Sequence, residues 1–356
     1  MKRNSIGLAV IGAGKIGTLR ATLAAAHPGV RYLALSDLDG DKARTLAERC
    51  GAQRWSADND AIIADPQVDA VIVSTSEQAH TAPVLAALAL GKPVLVEKPL
   101  ALDLATADRL LAAARGKSLH VGFSRRFKKR YLLAKEQLRH GRLGELTGAT
   151  MRLYNIRSQA LHSLKRLPDN SPVSGLTYYL DLANWLFAGN PVVEVIARGK
   201  KGVLQAAGHN TTDLAHAILT CRDGAVIALS VSYALPRGYP ALGHAARVEV
   251  LGTEGVMLLD DDHTDRILYT DRGVGHVYIP GHDVNMAFMG SGTPGDWALD
   301  AFWGPVATET RNWLDHMTAD TPCLVATGEE ARATLHVGLA MEQSLAGGAA
   351  VRVPLA

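Results

Sequence analysis

The stretch "IGLAVIGAGKIG", Ile6 to Gly17, decides how the chain begins to fold. "IGLAVI" carries neither charge nor proline and reads as a buried strand, and the residues from Lys15 onward have helical periodicity. Between them Gly12, Gly14 and Gly17 stand in the G-x-G-x-x-G spacing. The first glycine permits a tight turn, the second lets backbone approach a pyrophosphate, and the third lets helix and strand pack closely. A helix start there also offers unpaired N–H groups to phosphate oxygens. Asp37 comes twenty residues after Gly17, at the end of "VRYLALS", where a carboxylate can accept hydrogen bonds from adenosine ribose hydroxyls. Gly12, Gly14, Lys15, Ile16, Gly17 and Asp37 are therefore the candidate dinucleotide site. A carboxylate repels a 2′-phosphate, and "SDLDGDK" has no arginine directly after Asp37 to offset it, so NAD is expected rather than NADP. A purely structural glycine turn is the alternative, and it leaves the register of strand, loop, helix and acid unexplained.

Outward from that loop the texture repeats. "VRYLALS", a helix from Asp39, "VDAVIVST", a helix from Gln78, "PVLVE", a helix from Leu104 and "LHVGF" alternate in order. Such alternation predicts βαβ units and a doubly wound parallel sheet over residues 1–124. Gly51, Gly91 and Gly116 stand where helices need a left-handed cap. Over residues 125–356 the runs "LAHAILTC", "AVIALSVSYAL" and "ARVEVLG" are separated by the turn signals "RDG" and "GTEG", which predicts antiparallel strands. The expected chain is α/β: a dinucleotide-binding Rossmann domain over 1–124, a short connection near 122–126, and an α+β domain over 125–356 with a last helix from Glu329 to Leu345.

Composition narrows the partners. Thirty-seven basic and thirty-five acidic residues leave a net charge of +2, too weak a field to gather nucleic acid or anionic lipid. The start superficially resembles a secretory leader, but its apolar run is short, is broken by Gly12 and Gly14, and meets Lys15 in place of a cleavage site. "TAPVLAALALG" is too short to span a bilayer, and Cys50, Cys221 and Cys323 are too widely spaced for a disulfide framework. A reducing, cytoplasmic setting is expected. His209, Asp213 and His216 imitate a metal set, but strand alternation puts Asp213 and His216 on opposite faces, and no metal is expected.

"GKPVLVEKPL", Gly91 to Leu100, ends a buried strand in adjacent opposite charges and a proline. In an open α/β sheet the carboxyl end of a strand is where ligands lie. Hydride transfer between an alcohol carbon and nicotinamide also moves a proton at the oxygen, and Lys98 can hold that oxygen and help move its proton. A surface ion pair of Glu97 and Lys98 is the alternative, and it requires no proline next to it.

The run "VDAVIVSTSEQAHTAPVLAALALGKPVLVEKPLAL" closely resembles the signature of the Gfo/Idh/MocA oxidoreductase family, and the resemblance continues through "VGFSRRF", "GRLGELTGATMR" and "TGEEARATLHVGLAMEQSLAGGAAVRVPL". It implies a second domain with a large, mainly antiparallel open sheet, chemistry on sugars, cyclitols or related polyols, and a homo-dimer or homo-tetramer formed through that sheet. It also implies that Lys98 is catalytic, that Glu97 lies near the nicotinamide ribose, and that Ser74, Thr75 and His80 flank the cofactor. For His80, local packing at a helix start is an equal alternative. "RRFKKR", Arg125 to Arg130, coincides with a family junction, so a solvated helix start with Arg126 turned toward the substrate is expected rather than a nucleic-acid patch. Asn155 and Tyr233 fall where family members place substrate-facing residues. With the same triplet, relatives lead us to expect a cis peptide between Lys98 and Pro99.

One segment departs from the family. Its sugar and inositol dehydrogenases carry D-x-x-x-H, then Asp three residues on, then a W-L pair; the matching stretch here is "SGLTYYLDLANWLFAGN". Asp181, Trp185 and Leu186 match, but Ser174 takes the first Asp position and Tyr178 the His position. A phenol can carry a proton when a nearby ammonium stabilises its anion, so Tyr178 joins Lys98 and Asp181 as a candidate catalytic residue. Tyr178 and Tyr179 as plain aromatic core is the alternative. The leading reading is a dehydrogenase or reductase of a secondary alcohol or ketone; a cofactor-binding sensor without turnover and a dihydrodiol-type dehydrogenase stand beside it. "PGDWALDAFWGPV" is unusually aromatic, and packing is its default role.

Overall fold

The computed structural model describes residues 5–165, 171, 173–236, 239, 244–262, 266–275, 279–289, 294–319 and 321–354. The chain opens with β1 Ile6–Ile11, α1 Lys15–Ala25, β2 Val30–Ser36, α2 Gly40–Cys50, β3 Arg54–Ser56 and α3 Asn59–Ile63. Next come β4 Ala70–Val73, α4 Thr81–Ala89, β5 Val94–Glu97, α5 Leu104–Ala113, β6 Leu119–Gly122 and α6 Lys129–Arg139. The middle holds β7 Leu146–Ile156, α7 Arg157–Leu164, α8 Val173–Leu186, β8 Val192–Lys200, α9 Val203–Ala206, β9 Leu214–Cys221, β10 Val226–Leu235, β11 His244–Gly252 and β12 Val256–Asp260. Two hairpins follow, β13 Ile267–Gly275 with β14 Asp283–Phe288 and β15 Asp296–Ala298 with β16 Ala301–Trp303. The end is α10 Pro305–Thr318, β17 Ala326–Thr327, α11 Gly328–Gly347 and β18 Val351–Arg352.

By contacts the chain divides into Met1–Lys128 with Trp297–Leu335, and Lys129–Asp296 with His336–Ala356. The expectation drawn from the sequence took each half as one continuous stretch; the segment from Trp297 to Leu335 belongs by contacts to the first unit.

In the first unit a 7-stranded sheet runs β17-β6-β5-β4-β1-β2-β3, with β1 to β6 parallel and β17 antiparallel to β6. β1, β4 and most of β5 are buried along their length, as strands covered on both faces must be. The helix punctuation is chemical. Asp39, Asp58 and Asp103 cap α2, α3 and α5 by accepting from backbone N–H groups, and Gly51, Gly91 and Gly116 have φ of 63°, 71° and 71°. Strand order reverses between β1 and its two neighbours, so a crevice opens at the carboxyl ends of β1 and β4.

In the second unit a 7-stranded sheet runs β12-β11-β7-β10-β9-β8-β18. Its pairs are antiparallel except β7 with β10. One face packs its alternating Ala149, Met151, Leu153, Ala215, Ala217, Leu219, Ile227, Leu229 and Val231 against α8 and the later part of α11. The other face leaves Ile196, Ile218 and Leu258 exposed.

Candidate active site

At the carboxyl edge of the first sheet the three glycines meet three different requirements. Gly12 has φ of 99°, and a Cβ there would stand 2.7 Å from the Ser74 carbonyl oxygen. On Gly17 a Cβ would stand 1.8 Å from the Gly12 carbonyl oxygen, so α1 could not close onto the loop. Around the Cβ position of Gly14 nothing lies within 4 Å, and this N-cap of α1 receives no side-chain hydrogen bond. The result is open space over free helix N–H groups, which suits a pyrophosphate. Lys15 is exposed at the first turn, and Ile16 packs toward Leu19, Leu23 and Phe302.

Asp37 directly follows β2. Its Oδ2 accepts from the Ala13 N–H at 2.7 Å and its Oδ1 from the Asp39 N–H at 2.9 Å, so the carboxylate ties the glycine loop to the strand beside it. Ser74 directly follows β4 and abuts Gly12 and Gly17. Ser74 Oγ and His80 Nε2 are buried and make no hydrogen bond among the described residues. On the other side of the ring, His80 Nδ1 meets Thr75 Oγ1 at 3.0 Å. Burial and the charge of Lys98 push the His80 imidazole down to about 4, which keeps it neutral near pH 7. Open backbone at Gly14, two orphaned buried polar atoms and a carboxylate after β2 fit a dinucleotide.

Glu97 ends β5, Lys98 follows it, and the Lys98–Pro99 peptide bond is cis, as expected. Lys98 Nζ lies 3.7 Å from Glu77 Oε1, on the short turn after β4. Glu97 is gripped from below by Arg20 of α1, with Arg20 Nη2 at 2.8 Å from Glu97 Oε1 and 2.5 Å from Glu309 Oε2. Arg20, Glu77 and Glu309 were not among the residues the sequence singled out. The available signal for Arg20 was a lone charge three positions after Gly17 on an otherwise apolar helix face; Glu77 had only its place in "STSEQAH" after a strand.

The burial around Arg126 corrects one expectation, that of a solvated helix start. Residues Ser124–Phe127 form a buried 3-10 turn in place of a solvated helix start, and Arg126 donates from Nη1 to Glu330 Oε2 at 2.8 Å. Phe127 is part of the core of the first unit and draws the turn inside. Similarly, Phe302 of the aromatic segment packs with Leu19, Leu23 and Val306, while Trp297 and Trp303 stay exposed.

In the second unit Tyr178 and Asp181 stand one turn apart on α8. Tyr178 is half-buried beside the core, Asp181 is fully buried, and Tyr179 lies wholly within the core. Adjacent helix positions diverge by about 100°, which separates the two tyrosines. The Ser174 side chain lies outside the described residues. Asn155 is buried near the end of β7, and Tyr233 of β10 packs toward Ala160, Leu164 and Leu204. Asp213 accepts from the N–H groups of Val203 and Leu204 and so caps α9, whereas His216 points outward on β9.

Comparison with known proteins gives a consistent result. Residues 6–123 match a family described as "Oxidoreductase family, NAD-binding Rossmann fold", and residues 131–258 match the "GFO/IDH/MocA C-terminal domain". The chain is similar to an inositol 2-dehydrogenase of Acidothermus cellulolyticus, 34% identical over 72% of this chain and 73% of that one. It is also similar to a myo-inositol 2-dehydrogenase of Thermotoga maritima, 28% identical over 95% and 96% of the two chains. Among solved structures, GenD2 from gentamicin A biosynthesis in complex with NAD has a TM-score of 0.78 and 26% identity, covering 100% of this chain and 97% of that one.

Proposed function

The chain belongs to the Gfo/Idh/MocA oxidoreductase family, and from that premise we propose that it oxidises a secondary hydroxyl of an inositol-type cyclitol with NAD. That it is an NAD-dependent oxidoreductase acting on CH–OH groups follows from the family and its curated relatives. The cyclitol rests on one observation: both relatives reported above, one of them aligned over nearly the whole chain, are named as inositol dehydrogenases.

Bound NAD supplies the hydride acceptor. The chain's own residues then have three tasks. The glycine loop, Asp37, Ser74, Thr75, His80 and Glu97 bind and orient the dinucleotide. Lys98 Nζ holds the substrate oxygen and helps remove its proton. Tyr178, at the family's histidine position, offers a phenolic oxygen as proton carrier, with Asp181, Arg126, Asn155 and Tyr233 assigned to substrate positioning. We also assign the outer face of the second sheet to self-association in a dimer or tetramer. Ile196, Ile218, Ala228, Thr150, Glu249 and Leu258 are consecutive cross-strand partners there, and Ile196, Ile218 and Leu258 are exposed. Three free cysteines suit a reducing, cytoplasmic setting. Among the described residues no helix is long and apolar enough to cross a membrane.

The test mixes purified protein and NAD with inositol isomers, sugars and a cyclic dihydrodiol, and follows the absorbance of reduced nicotinamide. Reduction with an inositol isomer is expected. NAD binding without turnover of any polyol would favour the sensor instead, and turnover confined to the dihydrodiol would move the substrate class.

A further inference from the structure

Arg20 is an unusual residue for a helix that opens on a dinucleotide loop. It is 0% exposed, yet its guanidinium is engaged by groups brought from two distant parts of the chain, β5 and α10. Nε and Nη2 donate to Glu97 Oε1 at 2.9 and 2.8 Å, Nη2 also donates to Glu309 Oε2 at 2.5 Å, and Nη1 donates to Thr310 Oγ1 at 2.7 Å. Burial works against the charge, but Glu97 and Glu309 overcome it and raise the pKa beyond its ordinary value. Gly122, the cross-strand partner of Glu97, makes room for this arrangement: a Cβ there would stand 2.9 Å from Arg20 Nη2 and 3.2 Å from Glu97 Oε2.

The gripped carboxylate belongs to the residue immediately before Lys98. A planar guanidinium meeting one carboxylate oxygen through two donors fixes that side chain in direction as well as distance. With Glu97 held, the strand end cannot rock. We propose that Arg20 is a positioning residue of the reaction, acting through Glu97 to set the direction in which Lys98 leaves β5. The role rests on the hydride-transfer reading of this edge. It also explains why Glu309 and Thr310, on α10, belong to the same unit as the glycine loop: the clamp is complete only when the segment from Trp297 onward has returned to the first unit.

The experiment compares wild type with Arg20→Lys, with Arg20→Met/Glu309→Gln, which leaves no second stranded carboxylate, and with Gly122→Ala, which crowds the guanidinium while keeping every charge. Four quantities are read: kcat and KM for myo-inositol, NAD affinity by calorimetry, and the rate at which trinitrobenzenesulfonate labels Lys98 in cofactor-free protein, followed by peptide mass spectrometry. Misplacement of a catalytic group is expected to lower kcat by about 10- to 100-fold and to raise Lys98 labelling at least about threefold, while NAD affinity moves less than about threefold. Arg20→Lys should not restore the rate, because an ammonium lacks the two-pronged geometry. Folded variants with wild-type kcat and wild-type labelling overturn the proposal. If wild type turns over no cyclitol, the substrate reading fails by itself, and the labelling rates alone decide the role of Arg20: a rise supports it, no change overturns it.

Discussion

The two sheets use their strands in opposite ways. The parallel sheet is covered on both faces, and at its carboxyl edge Gly12, Ser74 and Glu97 gather from β1, β4 and β5. The second sheet is covered on one face, and its open face carries exposed Ile196, Ile218, Val226, Leu251 and Leu258 beside Arg198, His216 and Arg247. In the first, burial leaves binding to backbone N–H groups and to a few charges held by partners. In the second, a broad surface of side chains is left open. On the proposed function, the difference puts precision at an edge and association on a face.

The strongest challenge to that contrast is removal of Lys98. Lys98→Met, with Tyr178→Phe as its counterpart on α8, should each lower kcat by about 10²- to 10⁴-fold while NAD affinity stays near wild type. Steady-state kinetics with calorimetry checks this, and full activity in the Phe variant would return Tyr178 to the core it borders.

Acid should attack the parallel-sheet unit through two histidines. Burial pushes both His80 and His120 down to about 4, His80 further through the charge of Lys98 and His120 through that of His316. The unfolded chain takes up these protons near pH 6.5 and the native state only near 4, so their stabilisation is complete above about 6.5 and is lost as pH falls toward about 4. Each is worth at most about 3 kcal/mol across that window. Denaturant melts between pH 7 and 4 should show this fall, and His120→Asn should flatten it; a melt independent of pH over the window would remove the account.

Asp37 sharpens the edge. Asp37→Ala should weaken NAD binding by about 1.5 to 3 kcal/mol and narrow the gap to NADP. Because Asp37 also accepts from Ala13 N–H, part of the loss is disorder of the glycine loop, and Asp37→Asn should keep more of it. Calorimetric titration with both cofactors separates the two, and tighter binding of NADP by wild type contradicts the assignment.

The smallest effect belongs to the open face. Ile218→Arg should alter fold stability by no more than about 0.5 kcal/mol, since the side chain is already exposed, but should shift sedimentation to a smaller species. Unchanged sedimentation would break the division between edge and face.

Much of the first unit was legible because its determinants are local. Glycine spacing, capping aspartates and apolar runs act through sterics and hydrogen bonds within a few residues, so the loop, Asp37 and the "EKP" strand end could be read in order along the chain. Tyr178 as the occupant of the histidine position came from the resemblance to the family, and only its separation from Tyr179 followed from helical spacing. The clamp on Glu97 was not legible, because Arg20 and Glu309 lie 289 residues apart and nothing local marks either as the other's partner. Nor was the burial of Arg125 and Arg126, which as sequence are two charges in a basic run and as structure are carried inward by Phe127. Sequence alone determined which backbone could receive a dinucleotide, since that depends on which residues tolerate a given turn. Only the tertiary structure decided which buried charges meet, because the balance between desolvation and pairing is set by neighbours that folding alone brings together.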